Sequence, residues 1–379
     1  MAIIRRLTDT EMREAVRLSD ATFRDAEQTS MGKAFPYIFS ETSVSLSYGA
    51  FGENGKLISF MGLVPWEIRI GGAKLRVFSL GSVCTEPEAR GKGYASDILS
   101  EINEFTRQAG ASLLLVSGYR SLYTRAGCAP FGRIRRYRLD PQSAETLADR
   151  AGDGHPLVRE LNPEDVFGLQ EIAASRGVRY HYGVQELATL LKAEAFVSCI
   201  KMTHRVLVAE TGGVMAAFAV IGVPNDPHKR GVVVEYAGDP SVVARLAGAA
   251  VLRYGLPGVD FPIPWHETVL QSRLEGIPFT LEDHLGTVRI VDGDALAEQL
   301  RPWLEKRSNI DGLRFVSVEE GNWRLERASC PTVPLTANEL VRLVFDCASS
   351  ENEALPAGCD AYRDLFPVPF PYTAGLAYI

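Results

Sequence analysis

The run Arg90-Gly91-Lys92-Gly93-Tyr94-Ala95 restricts this chain more than any other feature, because it joins an apolar, β-branched stretch (Leu75 to Val83) to a helical pattern that continues to Ala109. Glycines two residues apart can take positive φ and bring successive N–H groups close to a bulky anion. A helix beginning at such a turn adds the positive end of its dipole. Arg90 and Lys92 add two formal charges. A strand, an anion-cradling turn and a helix in that order predict a layered α/β fold. The turn is not a Walker loop, since no Gly-Lys-Ser/Thr follows, and Ser96 stands where a dinucleotide fingerprint would place its third glycine.

The surrounding pattern extends this reading. Ile3 to Leu7 predicts a strand, and Thr8-Asp9 offers a cap for the helix that follows from Glu11. Ser43 to Phe51 and Lys56 to Val64 read as a hairpin turning at Gly52-Glu53-Asn54-Gly55. Ser112 to Ser117 reads as a buried strand. The polar stretch Pro141 to Pro156 reads as a linker. Beyond it the order restarts: Arg159 to Asp165 repeats strand, polar cap and helix. A second hairpin turns at Thr211-Gly212-Gly213, Gly231 to Ala237 reads as a later strand, and a helix runs from Gly238 to Tyr254. The chain thus predicts two copies of one fold. From Gly286 the pattern changes to a strand at Val288 to Val291, a helix at Asp292 to Leu304, and a helix at Ala337 to Phe345. Prolines at 367, 369 and 371 preclude a regular helix near the end, and the apolar tail Ala374 to Ile379 is expected to be docked.

The 379 residues, 46% hydrophobic, suffice for two or three domains. A net charge of −7 argues against a general nucleic-acid binder. The N-terminus lacks the apolar core of an export signal, and no stretch approaches a membrane span. Cys84, Cys128, Cys199, Cys330, Cys347 and Cys359 are scattered, and so are the histidines, so neither a disulfide framework nor a metal site is expected. These features predict a cytoplasmic protein.

Placed after Val83-x-Thr85-x-Pro87, the Arg90–Ala95 run resembles the Arg/Gln-x-x-Gly-x-Gly/Ala coenzyme A loop of the GNAT N-acetyltransferase superfamily, and the order of elements over roughly residues 1 to 140 is similar too. The resemblance implies a mixed, mostly antiparallel sheet whose central strand pair splays to admit acetyl-CoA. Backbone near Val83, Cys84 and Thr85 would bond the acetyl carbonyl and pantetheine. The segment Arg90, Gly91, Lys92, Gly93, Tyr94, Ala95 and Ser96 would hold the pyrophosphate, with Ser117 and Gly118 on the facing strand. The implied reaction is direct acetylation of an amine in a ternary complex, with no metal.

Tyr123-Thr124-Arg125-Ala126-Gly127-Cys128 resembles the family's Tyr-x-x-x-Gly-Phe/Tyr segment, although Cys128 replaces the aromatic. Tyr123 would protonate the leaving thiolate; its phenol, with a reference pKa near 10, is protonated at neutral pH. Tyr119 is the competing phenol. For a base, no His or Glu stands out by spacing. The whole-chain layout is similar to the Eis (enhanced intracellular survival) group. That similarity implies a catalytic GNAT domain over 1–145, a degenerate GNAT-like domain over 155–285 and a sterol-carrier-protein-like α+β domain over 286–379. In that group the terminal carboxylate, here that of Ile379, acts as base. The resemblance also implies a substrate pocket for an aminoglycoside-, polyamine- or lysine-like amine, for which Asp25, Phe35 and Trp66 are candidates beside Phe23 and Tyr37. It further implies a homo-oligomer, as large as a hexamer. The rival expectation is a non-catalytic, lipid- or small-molecule-binding protein that keeps these folds.

Overall fold

The computed structural model describes residues 2–41, 43–149, 156–319, 321–346 and 356–379. Two compact units emerge, one built from residues 1–132, 285–370 and 379, the other from residues 133–284 and 371–378.

In the first unit the sheet runs in the order Ile3–Arg6, Tyr48–Phe51, Leu57–Ile70, Ala73–Thr85, Leu113–Val116, Thr287–Ile290. All neighbours are antiparallel except the pair Ala73–Thr85 and Leu113–Val116. The helix Tyr94–Gln108 lies on this sheet through Ile98, Leu99 and Ile102, whose helical spacing puts them on one stripe against Met61, Leu63, Leu80 and Leu114. The last strand comes from far along the chain and is followed by the helix Gly293–Leu304, which is fixed by Gln299. The Gln299 side-chain oxygen accepts from the Arg76 amide (2.8 Å) and the Ser112 hydroxyl (2.9 Å), and its nitrogen donates to the Gly110 carbonyl (3.0 Å). A separate three-stranded sheet, Arg314–Glu319, Asn322–Glu326 and Val333–Thr336, and a helix, Ala337–Phe345, complete the unit.

The second unit holds a seven-stranded sheet in the order Phe279–Glu282, Ile134–Leu139, Val259–Pro264, Gly231–Gly238, Val214–Pro224, Met202–Thr211, Leu157–Glu160. Its opening repeats that of the first unit in detail. In one, the Thr8 amide donates to Glu11 (2.8 Å) and Arg5 pairs with Glu11 (2.6 Å); in the other, the Asn162 amide donates to Asp165 (2.7 Å) and Arg159 pairs with Asp165 (2.6 Å). The two openings share one construction: strand, carboxylate-closed turn, helix.

Two expectations need correction. Pro141–Asp149 is a helix, and it packs on the helix Pro240–Arg253, as Gly248 against Ala144 and Leu147 illustrates. Its polar residues are the solvent face of an amphipathic element, while Ala144 and Leu147 are buried. The remainder of the expected linker, 150–155, lies outside the described residues, as does Cys347. The hairpin strand expected from Ser43 starts only at Tyr48, because Val44–Leu46 forms a turn of 3₁₀ helix. Cys84, Cys128, Cys330 and Cys359 are free thiols.

Candidate functional site

The site begins at an interruption in the long strand Ala73–Thr85. This strand pairs with Leu57–Ile70 along its length, but the register shifts between Phe60 and Gly62. Opposite that shift Ser82 takes φ +52, a left-handed conformation costly for a residue with a side chain. A bulge of this kind bends a strand away from its neighbour. On the other edge, parallel pairing with Leu113–Val116 covers only Val77 to Leu80. A last bond links the Ser117 amide to the Leu80 carbonyl (3.3 Å). Beyond it, Gly81 to Thr85 present a strand edge to a gap, and an extended ligand can bond there as an added strand does.

Gly81 lies at the head of this gap. A Cβ on it would stand 2.6 Å from the terminal carbon of Ile379 and 2.8 Å from its oxygen, so the last residue rests directly on the glycine backbone. Ile379 is buried. Gly81 and Ser82 escaped sequence reasoning, although an isolated glycine inside a β-branched run is itself a signal of a bulge or of close backbone approach.

At the other end of the strand lies the loop. Gly91 and Gly93 take φ +74 and +86. A Cβ on Gly91 would touch nothing, and one on Gly93 would meet only Asp97 at 3.9 Å. Crowding by the protein therefore does not demand glycine here; the backbone twist does, together with room for a close ligand. No side chain caps the helix that starts at Tyr94. The Ser96 and Asp97 amides both return to the Gly93 carbonyl (2.8 and 3.1 Å), and among the described residues no acceptor is seen for the amides from Gly91 to Ala95. Uncapped amides at a helix start suit an anion. Arg90 spends its Nε on the Thr85 carbonyl (3.1 Å), which ties the loop to the strand. Lys92 is exposed.

Val83, Cys84 and Thr85 line the gap edge through their backbone. The Cys84 side chain turns away into the core, 3.6 Å from the Ser19 hydroxyl, and burial pushes its thiol up to about 12. Cys128 is likewise buried and pushed up to about 11. Neither thiol is poised as a nucleophile, since the thiolate is the reactive form. Thr85 bonds Ser59 through its hydroxyl (2.8 Å).

Tyr123 sits on the helix Ser121–Arg125 with its ring 3.2 Å from the Cβ position of Gly118, so that glycine makes room for the ring beside the gap. Burial pushes its phenol up to about 12. Tyr119 is half-exposed and its oxygen accepts from the Gly286 amide (2.6 Å), a structural engagement. Asp25 is exposed and accepts from the Glu27 amide (2.9 Å), closing a turn. Phe35 is buried with Arg24 over its ring, Trp66 is buried against Tyr37 (5.2 Å between centroids), and Phe23 is exposed. Among the described residues no helix is long and apolar enough to cross a membrane, and no group of three or more His, Cys, Asp or Glu is placed to hold a metal ion.

Residues 3–131 match a family model described as an acetyltransferase (GNAT) domain, which identifies the chain as an acyltransferase carrying that domain. No curated protein matches the chain in sequence. Among solved structures, the chain resembles a GCN5-related N-acetyltransferase from Kribbella flavida at 15% identity, with a TM-score of 0.63, over 90% of this chain and 89% of that one. It resembles another from Anabaena variabilis at 11% identity (TM-score 0.59, 90% and 89% covered). Eis1 from Mycobacterium abscessus is similar at 14% identity (TM-score 0.56, 86% and 85% covered). At these identities the likeness is one of fold, and it runs through nearly the whole of each chain.

Proposed function

We propose that the chain transfers an acetyl group from acetyl-CoA to the nitrogen of a small-molecule or peptide amine, directly and in a ternary complex. The observation that carries this reading is the opened strand edge Gly81–Thr85, with an uncapped, doubly left-handed glycine loop at one end and a carboxylate and a phenol at the other. The segment 90 to 96 holds the pyrophosphate, chiefly through the unbonded amides of residues 91 to 95. Val83, Cys84 and Thr85 on one side, and Ser117 and Gly118 on the other, bracket the pantetheine arm.

The Ile379 carboxylate takes the ammonium proton, directly or through water. The freed nitrogen forms a bond to the thioester carbonyl carbon while a backbone N–H of the bulged strand steadies the developing oxyanion. As the carbon–sulfur bond breaks, Tyr123 gives its proton to the leaving sulfur, yielding the amide and the free thiol of the coenzyme. A phenol at about 12 is fully protonated at neutral pH. The burial that raises it acts in the same direction on a thiolate in the same gap, so it does not by itself widen the difference between the two acids.

The modular reading of 1–145 as catalytic domain, 155–285 as degenerate repeat and 286–379 as sterol-carrier-like domain belongs to this proposal, as do a homo-oligomeric state and a cytoplasmic site. It is supported by the repeated opening at Arg5 and Arg159 and by the three-stranded sheet with its two helices after Gly286. The decisive experiment appends a few residues after Ile379 and measures kcat/KM with a panel of polyamines, aminoglycosides and lysine peptides. A fall of about 100-fold with acetyl-CoA affinity retained is expected for loss of a general base; unchanged turnover removes the carboxylate from the mechanism.

A further inference from the structure

The helix Tyr94–Gln108 has 15 residues, about 22 Å at 1.5 Å per residue. The glycine loop stands at its N-terminal end. At its other end Arg107 borders a cavity of about 760 Å³, formed within the first unit by the segment after Tyr123, the start of the helix Gly293–Leu304 and the three-stranded sheet. That volume is typical of small-molecule sites, roughly 300–1,000 Å³.

The lining is unusual in its charge. Arg125, Arg289 and Arg314 all face the cavity, and among the described residues none is ion-paired with a carboxylate. Arg125 uses one nitrogen on the Ser121 hydroxyl (3.1 Å) and Arg289 uses one on the Ala126 carbonyl, which leaves most of each five-donor fork uncommitted. Arg107 is neutralised by Glu104 (2.7 Å). Of the acids at the rim, Asp292 is committed to capping the Ala295 amide (2.8 Å), and Asp294 is exposed. Cations gathered in a concave wall focus potential on an anion, and arginine forks match phosphate oxygens in geometry.

One wall carries an indole. The Trp323 ring edge lies 2.9 Å from the Cβ position of Gly293, where the Phe315 backbone oxygen lies at 2.1 Å, so the glycine packs tightly against this wall. An indole beside arginines offers a stacking face for a planar ring. A lipid site would want an apolar lining without this ring of cations.

We propose that this cavity is a second ligand site, distinct from the glycine loop, which takes a phosphorylated planar molecule of nucleotide size. Phosphate oxygens meet Arg125, Arg289 and Arg314, and the ring lies on Trp323.

The test uses the full chain and ADP as probe, followed by calorimetry. Gly93→Val disables the coenzyme loop, so ADP binding that persists in this variant belongs to the cavity. In the Gly93→Val background, Arg314→Gln and Arg125→Gln, both changes to exposed side chains, are each expected to weaken ADP by roughly 10-fold, as loss of a charge-assisted bond does. Inorganic pyrophosphate should compete and palmitate should not. Loss of ADP binding in Gly93→Val alone, indifference to both arginine changes, or displacement of ADP by palmitate would each overturn the proposal.

Discussion

Both units carry a strand that leads into a helix beside a short parallel pairing, yet the two junctions are built for opposite ends. In the first, eight residues separate Thr85 from Tyr94, two glycines twist to the left, and the helix start is left without a side-chain cap. In the second, a single residue, Asp239, separates the strand Gly231–Gly238 from the helix Pro240–Arg253. Asp239 accepts from the Ser241 and Val242 amides (2.9 and 3.1 Å), and Pro240 has no amide to offer. The first junction leaves its donors uncapped; the second consumes them and adds a negative charge. Its strand also carries Glu235, ion-paired with Arg176 (2.6 Å), which in turn bonds Glu267. Burial lifts Glu235 above the usual carboxylate range. Similar strand order thus persists while the helix start changes from uncapped to capped.

The contrast can be broken at several points. The largest effect is expected from Tyr123→Phe, which should lower kcat by about 10²–10⁴-fold, the usual contribution of a general acid, while acetyl-CoA affinity stays unchanged. Turnover equal to the parent chain would assign the proton to another donor. Next, Gly93→Val places a β-branched residue at φ +86 and should weaken acetyl-CoA by roughly 100-fold, read by titration of the folded protein. Full affinity in that variant would mean that coenzyme binds elsewhere. The reciprocal change, Asp239→Ala, removes a helix cap and should cost about 1 kcal/mol of stability in a denaturant titration, with acetyl-CoA affinity unmoved. If affinity moved, the second junction would have a share in coenzyme binding.

A last way to probe the second unit concerns pH. His284 and His266, both in the second unit, are pushed by burial down to about 3 and about 4. They stay neutral when folded, whereas the unfolded chain takes up their protons below about 6.5. Between pH 6.5 and 4 the unfolded state therefore binds more protons, and stability falls as pH falls. Thermal melts across that window should show Tm declining, and His284→Asn should flatten the decline; a parallel curve for the variant would remove His284 as a cause.

Much of this was legible in the residues. The Gly-x-Gly spacing after a β-branched run located the loop, and the strand–cap–helix start expected at Arg159 is built as the one at Arg5 is. The helix at Ala337–Phe345 has the bounds its pattern suggests, and the structure shows Thr336 and Glu339 closing its start as a capping box (Thr336 amide to Glu339, 2.7 Å). What stayed hidden depended on partners distant in sequence. The pattern around Val288 announces a strand but cannot say that it pairs with Leu113–Val116. The polarity of Pro141–Asp149 describes its outer face and conceals the two residues it buries. Gly81 is one glycine among 34 until the chain's last residue is seen lying on it.

The strand Thr287–Ile290 has a practical corollary. Leu113–Val116 are all buried, and this strand from more than 150 residues later forms their outer hydrogen-bonded border. A fragment trimmed to the matched family segment would strip that border off and leave four consecutive apolar residues as a raw sheet margin, a ready template for self-association. Anyone dissecting the protein for crystallography or assay should therefore keep the late strand with the early ones, since the part that looks self-contained in a family alignment is stitched shut by the other end of the polypeptide.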